Sequence, residues 1–340
     1  MDYFRPIAMT DAARTPGALP LAGGWCWFDR AEHLTRAGSR GLVAAADLPD
    51  PVCARLTAPR PPLAGLALDR PRLMGILNVT PDSFSDGGRF LGRDTALAHA
   101  TAMAGAGADL LDIGGESTRP GAADVTEAEE IARTAPLIAA LCAGGLALPV
   151  SIDTRKAAVA RAALDAGASM VNDVAALTYD PALGALVAGR DMPVCLMHAR
   201  GTPATMQDDP RYDDVLLDVY DWLSERIAAA EAMGIARDRI VIDPGIGFGK
   251  TAAHNLALIR GLSLFHGLGV PVLLGASRKR FIGTYGGGAA ATRADLRGPG
   301  TVAVTLAGTA QGVQIHRVHD IVETKQALRL WQAVTFGEEP

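Results

Sequence analysis

The sequence predicts an α/β fold, a (β/α)8 TIM barrel with an N-terminal extension. Three observations predict it. Eight short apolar runs recur along the chain, each ending in a polar residue or a glycine-rich polar loop. Helical patterns separate nearly all of them. The chain has 340 residues, 49% of them hydrophobic, which suits one barrel of roughly 250 residues plus an extension better than two equal domains. A strand-then-helix unit repeated in this way gathers reactive groups where the strands end.

Residues 1–70 stand outside the repeat and 71–340 form the barrel. Residues 21–28, with Trp25 and Trp27 alternating, read as a short strand lying against the barrel. A packing or capping role is the expectation for this extension. Pro59, Pro61, Pro62 and Pro71 break the segment before the first barrel strand, so a loop or linker is expected there. The apolar runs are 73–77 into Asn78, 110–113 into the loop that starts at Gly114, 150–152 into Asp153, and 170–171 into Asn172 and Asp173. Then come 194–197 into His198, 240–242 into Asp243, 272–274 into the loop from Gly275 to Lys279, and 313–315 into Arg317 and His319.

Between them, Asp94 and Thr95 start a helix that runs to 105. Thr126 and Glu129 have the spacing of a capping box ahead of Ile131, Leu137, Ile138 and Leu141. Further helices are expected over 156–166, 181–189, 215–233, 256–262, 302–310 and 321–334. The glycine- and alanine-rich stretch 286–300 reads as a mobile loop after the seventh strand.

Net charge is −5 and no basic stripe suggests nucleic acid. Cys26, Cys53, Cys142 and Cys195 lie far apart without metal-ligand spacing, as reduced thiols of a cytoplasmic protein do. The first residues lack the apolar stretch of a signal peptide, and no run reaches membrane-spanning length.

Asp153 and Asp243 each close an apolar run, and Asn172 closes a third. Singly, each aspartate is as readily a helix cap or a turn residue. Together, two carboxylates and an amide in one cup suit a flat heterocycle with several N–H donors along an edge. A divalent metal is the competing use, but no histidine lies at ligand spacing. Arg317 and His319 fall on one face at the end of the eighth run, near where these barrels bind phosphate. Ser117, Thr118 and Arg119 add donors, so a diphosphate is a plausible ligand.

Lys279 invites a Schiff-base reading. Its place beyond the strand, in a Ser-Arg-Lys-Arg cluster that keeps it cationic, favours a hydrogen-bond donor instead. Residues 244–250 (PGIGFGK) lack the first glycine of a Walker loop. Their glycines are expected to let a flat ligand approach the backbone, with Phe248 as a wall. His198 reads as a structural histidine rather than a base.

Residues 74–88 (MGILNVTPDSFSDGG) and 112–121 (DIGGESTRPG) resemble the two long signatures of the dihydropteroate synthases. SIDT at 151–154, VND at 171–173, DPGIGFGK at 243–250, SRK at 277–279 and RVHD at 317–320 match the rest in order, and no motif position departs. The resemblance covers residues 72–335 and leaves the extension without a counterpart.

It implies a transferase of folate biosynthesis. Such an enzyme condenses 4-aminobenzoate with (7,8-dihydropterin-6-yl)methyl diphosphate, giving 7,8-dihydropteroate and diphosphate. Asp153, Asn172, Asp243 and Lys279 would hold the pterin edge, with Met197 and Gly247 among the substrate-binding positions. Asn78 would bind Mg2+. Thr118, Arg119, Arg317 and His319 would take the diphosphate oxygens, Arg317 also covering the pterin face. Ser277, Phe248, Pro120 and Lys279 would border the aminobenzoate. Asp153, Lys279 and Arg317 would carry the catalysis. A homodimer and sensitivity to sulfonamides are implied as well.

Two other readings are weighed against this one. A pterin-binding methyltransferase barrel shares the Asp/Asn/Asp grip but has no use for the two long loop signatures. A catalytically silent barrel would not need polar residues at nearly every strand end.

Overall fold

The computed structural model describes residues 2–79, 89–117, 124–201, 206 and 208–337. The chain begins with β1 (Asp2–Pro6), β2 (Leu19–Pro20), β3 (Trp27–Phe28), β4 (Arg30–Thr35), β5 (Gly38–Ala44) and α1 (Asp50–Thr57). β1, β4 and β5 make an antiparallel sheet in that order, and β2 pairs with β3. The single strand expected over 21–28 is therefore a turn with a short strand at either end. Ala22 (φ 55°) and Gly23 (φ 66°) reverse the chain there, and a Cβ at Gly23 would stand 2.5 Å from Pro59 Cα.

Leu21, Cys26, Phe28, Ala31, Ala45, Leu48 and Leu56 form the small core of this unit. It packs sideways onto the barrel. Trp25 Nε1 donates to Thr309 O (2.8 Å), Arg55 Nε to Gly267 O (2.7 Å), and Ser263 Oγ to Pro6 O (2.8 Å).

Eight parallel strands follow: β6 (Arg72–Asn78), β7 (Leu110–Gly114), β8 (Val150–Asp153), β9 (Met170–Asp173), β10 (Val194–Met197), β11 (Ile240–Asp243), β12 (Leu273–Leu274) and β13 (Ile315–Val318). They are ordered β11-β10-β9-β8-β7-β6-β13-β12, and the bridge between Ile242 and Val272 closes the ring. Helices cover it: α2 (Arg89–Gly105), α3 (Glu127–Ala143), α4 (Ala157–Asp165), α5 (Pro181–Gly189), α6 (Val215–Ala232), α7 (Ala252–Arg260), α8 (Arg280–Gly286), α9 (Gly298–Thr309) and α10 (Ile321–Phe336). Among the described residues no helix is long and apolar enough to cross a membrane.

Three departures have physical causes. The proline-rich segment is a loop but no linker. Leu63 and Leu68 are buried with Met74, Leu110, Met170, Cys195, Val241, Leu273 and Ile315, stopping the N-terminal end of the barrel. Burial of each leucine contributes about 1.5–3 kcal/mol. Residues 286–300 are no long loop either, but two short 3-10 turns and the start of α9. Arg297, nearly buried, donates to Ala290 O (2.8 Å), Arg278 O (3.0 Å) and Ala291 O (3.1 Å), and so gathers that stretch onto α8. The last strand begins at Ile315, because Gly312 (φ 81°) turns the chain and the Gln314 side chain is spent on Val272 N (2.9 Å).

Candidate active site

The interior changes character one step toward the C-terminal ends of the strands. Side chains alternate along a strand, so a residue two positions beyond a core residue shares its face. Leu110 is followed in this way by Asp112, Met170 by Asn172, Cys195 by Met197, Val241 by Asp243 and Ile315 by Arg317. Asp153 joins them as the ladder partner of Asn172. The floor of the mouth is thus polar and nearly all buried.

Arg317 crosses that floor. Its Nε donates to Asp112 Oδ2 (2.5 Å) and its Nη2 to Asp153 Oδ2 (2.7 Å). Asn172 Nδ2 donates to the same Asp112 oxygen (3.0 Å). Asp243 accepts Gly245 N on Oδ1 (2.7 Å), and Gly275 leaves its other oxygen uncovered, since a Cβ there would stand 3.0 Å from it. Ser277 Oγ and His319 Nδ1 are 2.9 Å apart, joining the ends of β12 and β13. Lys279 lies over the Phe248 ring (4.4 Å to the centroid) and donates to Ile246 O.

Burial governs the charges. It pushes the Asp153 carboxyl up to about 7, against the pull of Arg317. The Asp243 carboxyl is raised by the same cause, with Lys279 opposing. Burial lowers Lys279 to about 8, although Asp243 and Asp153 favour its ammonium. For Arg317 burial opposes the charge, but Asp112 and Asp153 outweigh it and hold the guanidinium protonated.

Asp153, Asn172, Asp243, Lys279, Arg317 and Met197 thus meet at one mouth, with Phe248, Gly247, Ser277 and His319 on its rim. Asn78 ends β6 beside them. Its Oδ1 and the Asp153 Cβ each lie 3.5 Å from where a Cβ of Gly114 would stand. Thr118, Arg119 and Pro120 lie outside the described residues, as does the first signature from Thr80 to Gly88.

One expectation needs correction. Neighbours in sequence do not keep Lys279 cationic, for Arg278 turns away to Asp320 (Nε to Oδ2 3.0 Å) and the aspartates across the mouth do that work instead. The glycines of 244–250 also shape the loop itself. Gly245 (φ 68°) and Gly249 (φ 63°) fold the loop against the chain after β10, where a Cβ would stand 1.8 Å from His198 O and 2.5 Å from Arg200 O. Lys250 fastens that loop from inside, donating to Gly245 O (2.9 Å), Phe248 O (3.0 Å) and His198 Nδ1 (2.8 Å). His198 is structural, its pKa driven down to about 2 by burial and then by Lys250.

Asp112 was not singled out from the sequence. The available signal was an aspartate two residues into an apolar strand, where a carboxylate is costly unless it is paired.

The chain is similar to known proteins. A family model described as pterin binding enzyme matches residues 74–319. The dihydropteroate synthase of Neisseria meningitidis serogroup C is 47% identical over 272 residues, covering 79% of this chain and 94% of that protein. A Xanthomonas albilineans dihydropteroate synthase structure with 4-aminobenzoic acid superposes with a TM-score of 0.75 at 50% identity, over 80% of this chain and 97% of that one. The enzyme from the same organism in complex with 7,8-dihydropteroate gives 0.72 at 48% identity, over 80% and 96%.

Proposed function

This chain belongs to the pterin-binding enzyme family, and from that premise we propose that its strand-end cup receives a dihydropterin. It is a transferase of folate biosynthesis, forming 7,8-dihydropteroate from (7,8-dihydropterin-6-yl)methyl diphosphate and 4-aminobenzoate. One observation carries the reading of the site. Asp153, Asp243 and an Asn172 whose NH2 is already engaged present acceptors at three strand ends, complementary to the N–H groups along a pterin edge. Lys279, held beside Phe248, is the donor for a ring carbonyl or nitrogen.

The chemistry needs no nucleophilic side chain. The C–O bond to diphosphate breaks, leaving a ring-conjugated methylene cation spread over the electron-rich dihydropterin. The carboxylates of Asp153 and Asp243, in a site shielded from water, lower the energy of that developing charge. The neutral aromatic amine then attacks the methylene carbon, and its nitrogen sheds a proton after the C–N bond has formed. His198 takes no part as a base, being fixed to Lys250.

The diphosphate faces the rim that carries His319 and Ser277, with Thr118 and Arg119 assigned to it by motif. Ser277, Phe248 and Pro120 are assigned to the aminobenzoate in the same way. Mg2+ fits this donor set. Asn78 offers one neutral oxygen at a strand end, and among the described residues no three His, Cys, Asp or Glu cluster as a metal cage. A neutral oxygen donor of this kind would suit a hard cation that also takes ligands from the substrate. Held by Asn78, Mg2+ would supply charge neutralisation to the leaving group.

A homodimer is proposed through the outer helices. Val322, Leu330 and Val334 recur at helical spacing on α10 and are exposed. A cytoplasmic location is proposed as well, supported by four free cysteines.

The test is turnover by purified protein with both substrates and Mg2+. Dihydropteroate is the expected product. Methyl transfer from a methylated pterin, or no reaction, would overturn the proposal.

A further inference from the structure

We propose that Asp112 is a positioning residue that makes the cup selective for a ligand edge built of N–H donors. This rests on the pterin reading of the site and deepens it. Asp112 is fully buried in β7, on the inner face. Its Oδ2 receives two donors at once, Asn172 Nδ2 at 3.0 Å and Arg317 Nε at 2.5 Å.

An amide has one acceptor end and one donor end, and which end meets a ligand depends on what holds the other. Asp112 holds the donor end of Asn172, so the carbonyl oxygen is the end left to a ligand. Asp153 and Asp243 are acceptors already. Asp112 thereby withdraws the Asn172 NH2, which would otherwise be free to greet a ligand carbonyl, from the acceptor row. The same oxygen anchors Arg317, whose other arm reaches Asp153, so the guanidinium lies flat across the floor and stays out of the acceptor row.

The other oxygen, Asp112 Oδ1, is buried without a partner among the described residues. Stability alone does not call for this buried pair. Apolar side chains of similar volume at both 112 and 317 would avoid the unmatched oxygen and the buried charges. The cost is consistent with a demand set by the ligand.

The test uses the full chain and calorimetric titration with two probes, a dihydropterin and its analogue bearing an oxo group in place of the 2-amino group. Wild type is expected to prefer the pterin. Asp112→Asn should weaken pterin binding at least tenfold and shrink the preference at least fivefold, because the Asn172 amide is then free to turn. Combining Asp112→Asn with Asn172→Asp restores an acceptor at position 172, now held by the new amide, and should return affinity to within about threefold of wild type.

A folded Asp112→Asn protein with unchanged preference, or a double variant no better than the single one, overturns the proposal. Should Asp112→Asn fail to fold, hydrogen exchange of the Asn172 side-chain NH2 in wild type decides it. Protection with and without pterin supports the proposal, and rapid exchange overturns it. A wild type that binds no pterin at all overturns the reading of the site, and this proposal with it, a result separable from every outcome above.

Discussion

Asp153 and Lys279 both lie where burial opposes their charge, and the pH dependence of binding follows from the pair. On the proposed reading Asp153 would accept ligand N–H groups as a carboxylate, so protonation below about 7 would remove an acceptor. Pterin affinity should fall about tenfold per pH unit below that value. Lys279 is a charged donor below about 8 and loses that charge above it. A maximum between the two values is the expected outcome of titrations across pH. Asp153→Asn should remove the Asp153 share of the acid limb, leaving what Asp243 contributes, and Lys279→Arg should carry the alkaline limb to higher pH. A flat profile from 5 to 9 would contradict both assignments. Asp173 is expected to behave differently. Its carboxylate holds Ala175 N (2.7 Å) and Leu177 N (2.6 Å) in a turn that contains positive φ at Ala176 and Leu177. Asp173→Asn should therefore lower the melting temperature and leave pterin affinity within about twofold, which melting and titration of one sample check. Asp153, Asn172 and Asp243 were legible in the sequence because each ends an apolar run. Asp112 was not, because it lies inside one. The setting of Lys279 depends on groups that only the closed barrel brings near.

At the scale of elements, strands read well and turns read poorly. Six strand ends fall within a residue of where the apolar runs stop, since a buried parallel strand must be apolar until it leaves the core, and a seventh, β9, runs on through Asn172 to Asp173. The eighth continues through Arg317, a charged residue that burial admits because Asp112 and Asp153 face it. Helix starts depend on single side chains and are harder to see. Thr126 accepts Glu129 N as a cap should, but Glu129 turns to Arg133, so only half of the expected box forms. A full box at Thr251 and His254 starts α7 four residues before the sequence indicates. The loop after β11 is the element most exposed to a backbone test. Gly245→Ala puts a methyl group into the His198 carbonyl at positive φ. It should cost more than about 2 kcal/mol of stability, read as a lower denaturation midpoint. A midpoint equal to wild type would mean that the loop has another way to fold.

Across the whole molecule, the extension is bound to the barrel but remote from the acceptors. Its hairpin reaches α6, where Arg36 grips Asp218 and Asp221, and Tyr3 Oη donates to Asp221 (2.8 Å). Removing residues 1–55 should leave turnover in place while lowering the melting temperature, because the cup is built wholly from strand ends beyond residue 72. A soluble truncated protein without activity would place the extension in the site or in a subunit contact. The composition outside the repeat showed where this unit lies, but its docking rests on backbone carbonyls such as Thr309 and Gly267 that no sequence pattern marks. What unites the molecule is a barrel that gathers desolvated carboxylates at one mouth, where the proposed reading sets them opposite the donors of one heterocycle. Titration of a dihydropterin into wild type and Asp243→Asn tests that claim most directly. The account predicts a folded variant whose affinity is weaker by about 2–5 kcal/mol, the cost of breaking a buried charge-assisted pairing. Equal affinity in a folded Asp243→Asn protein would contradict it.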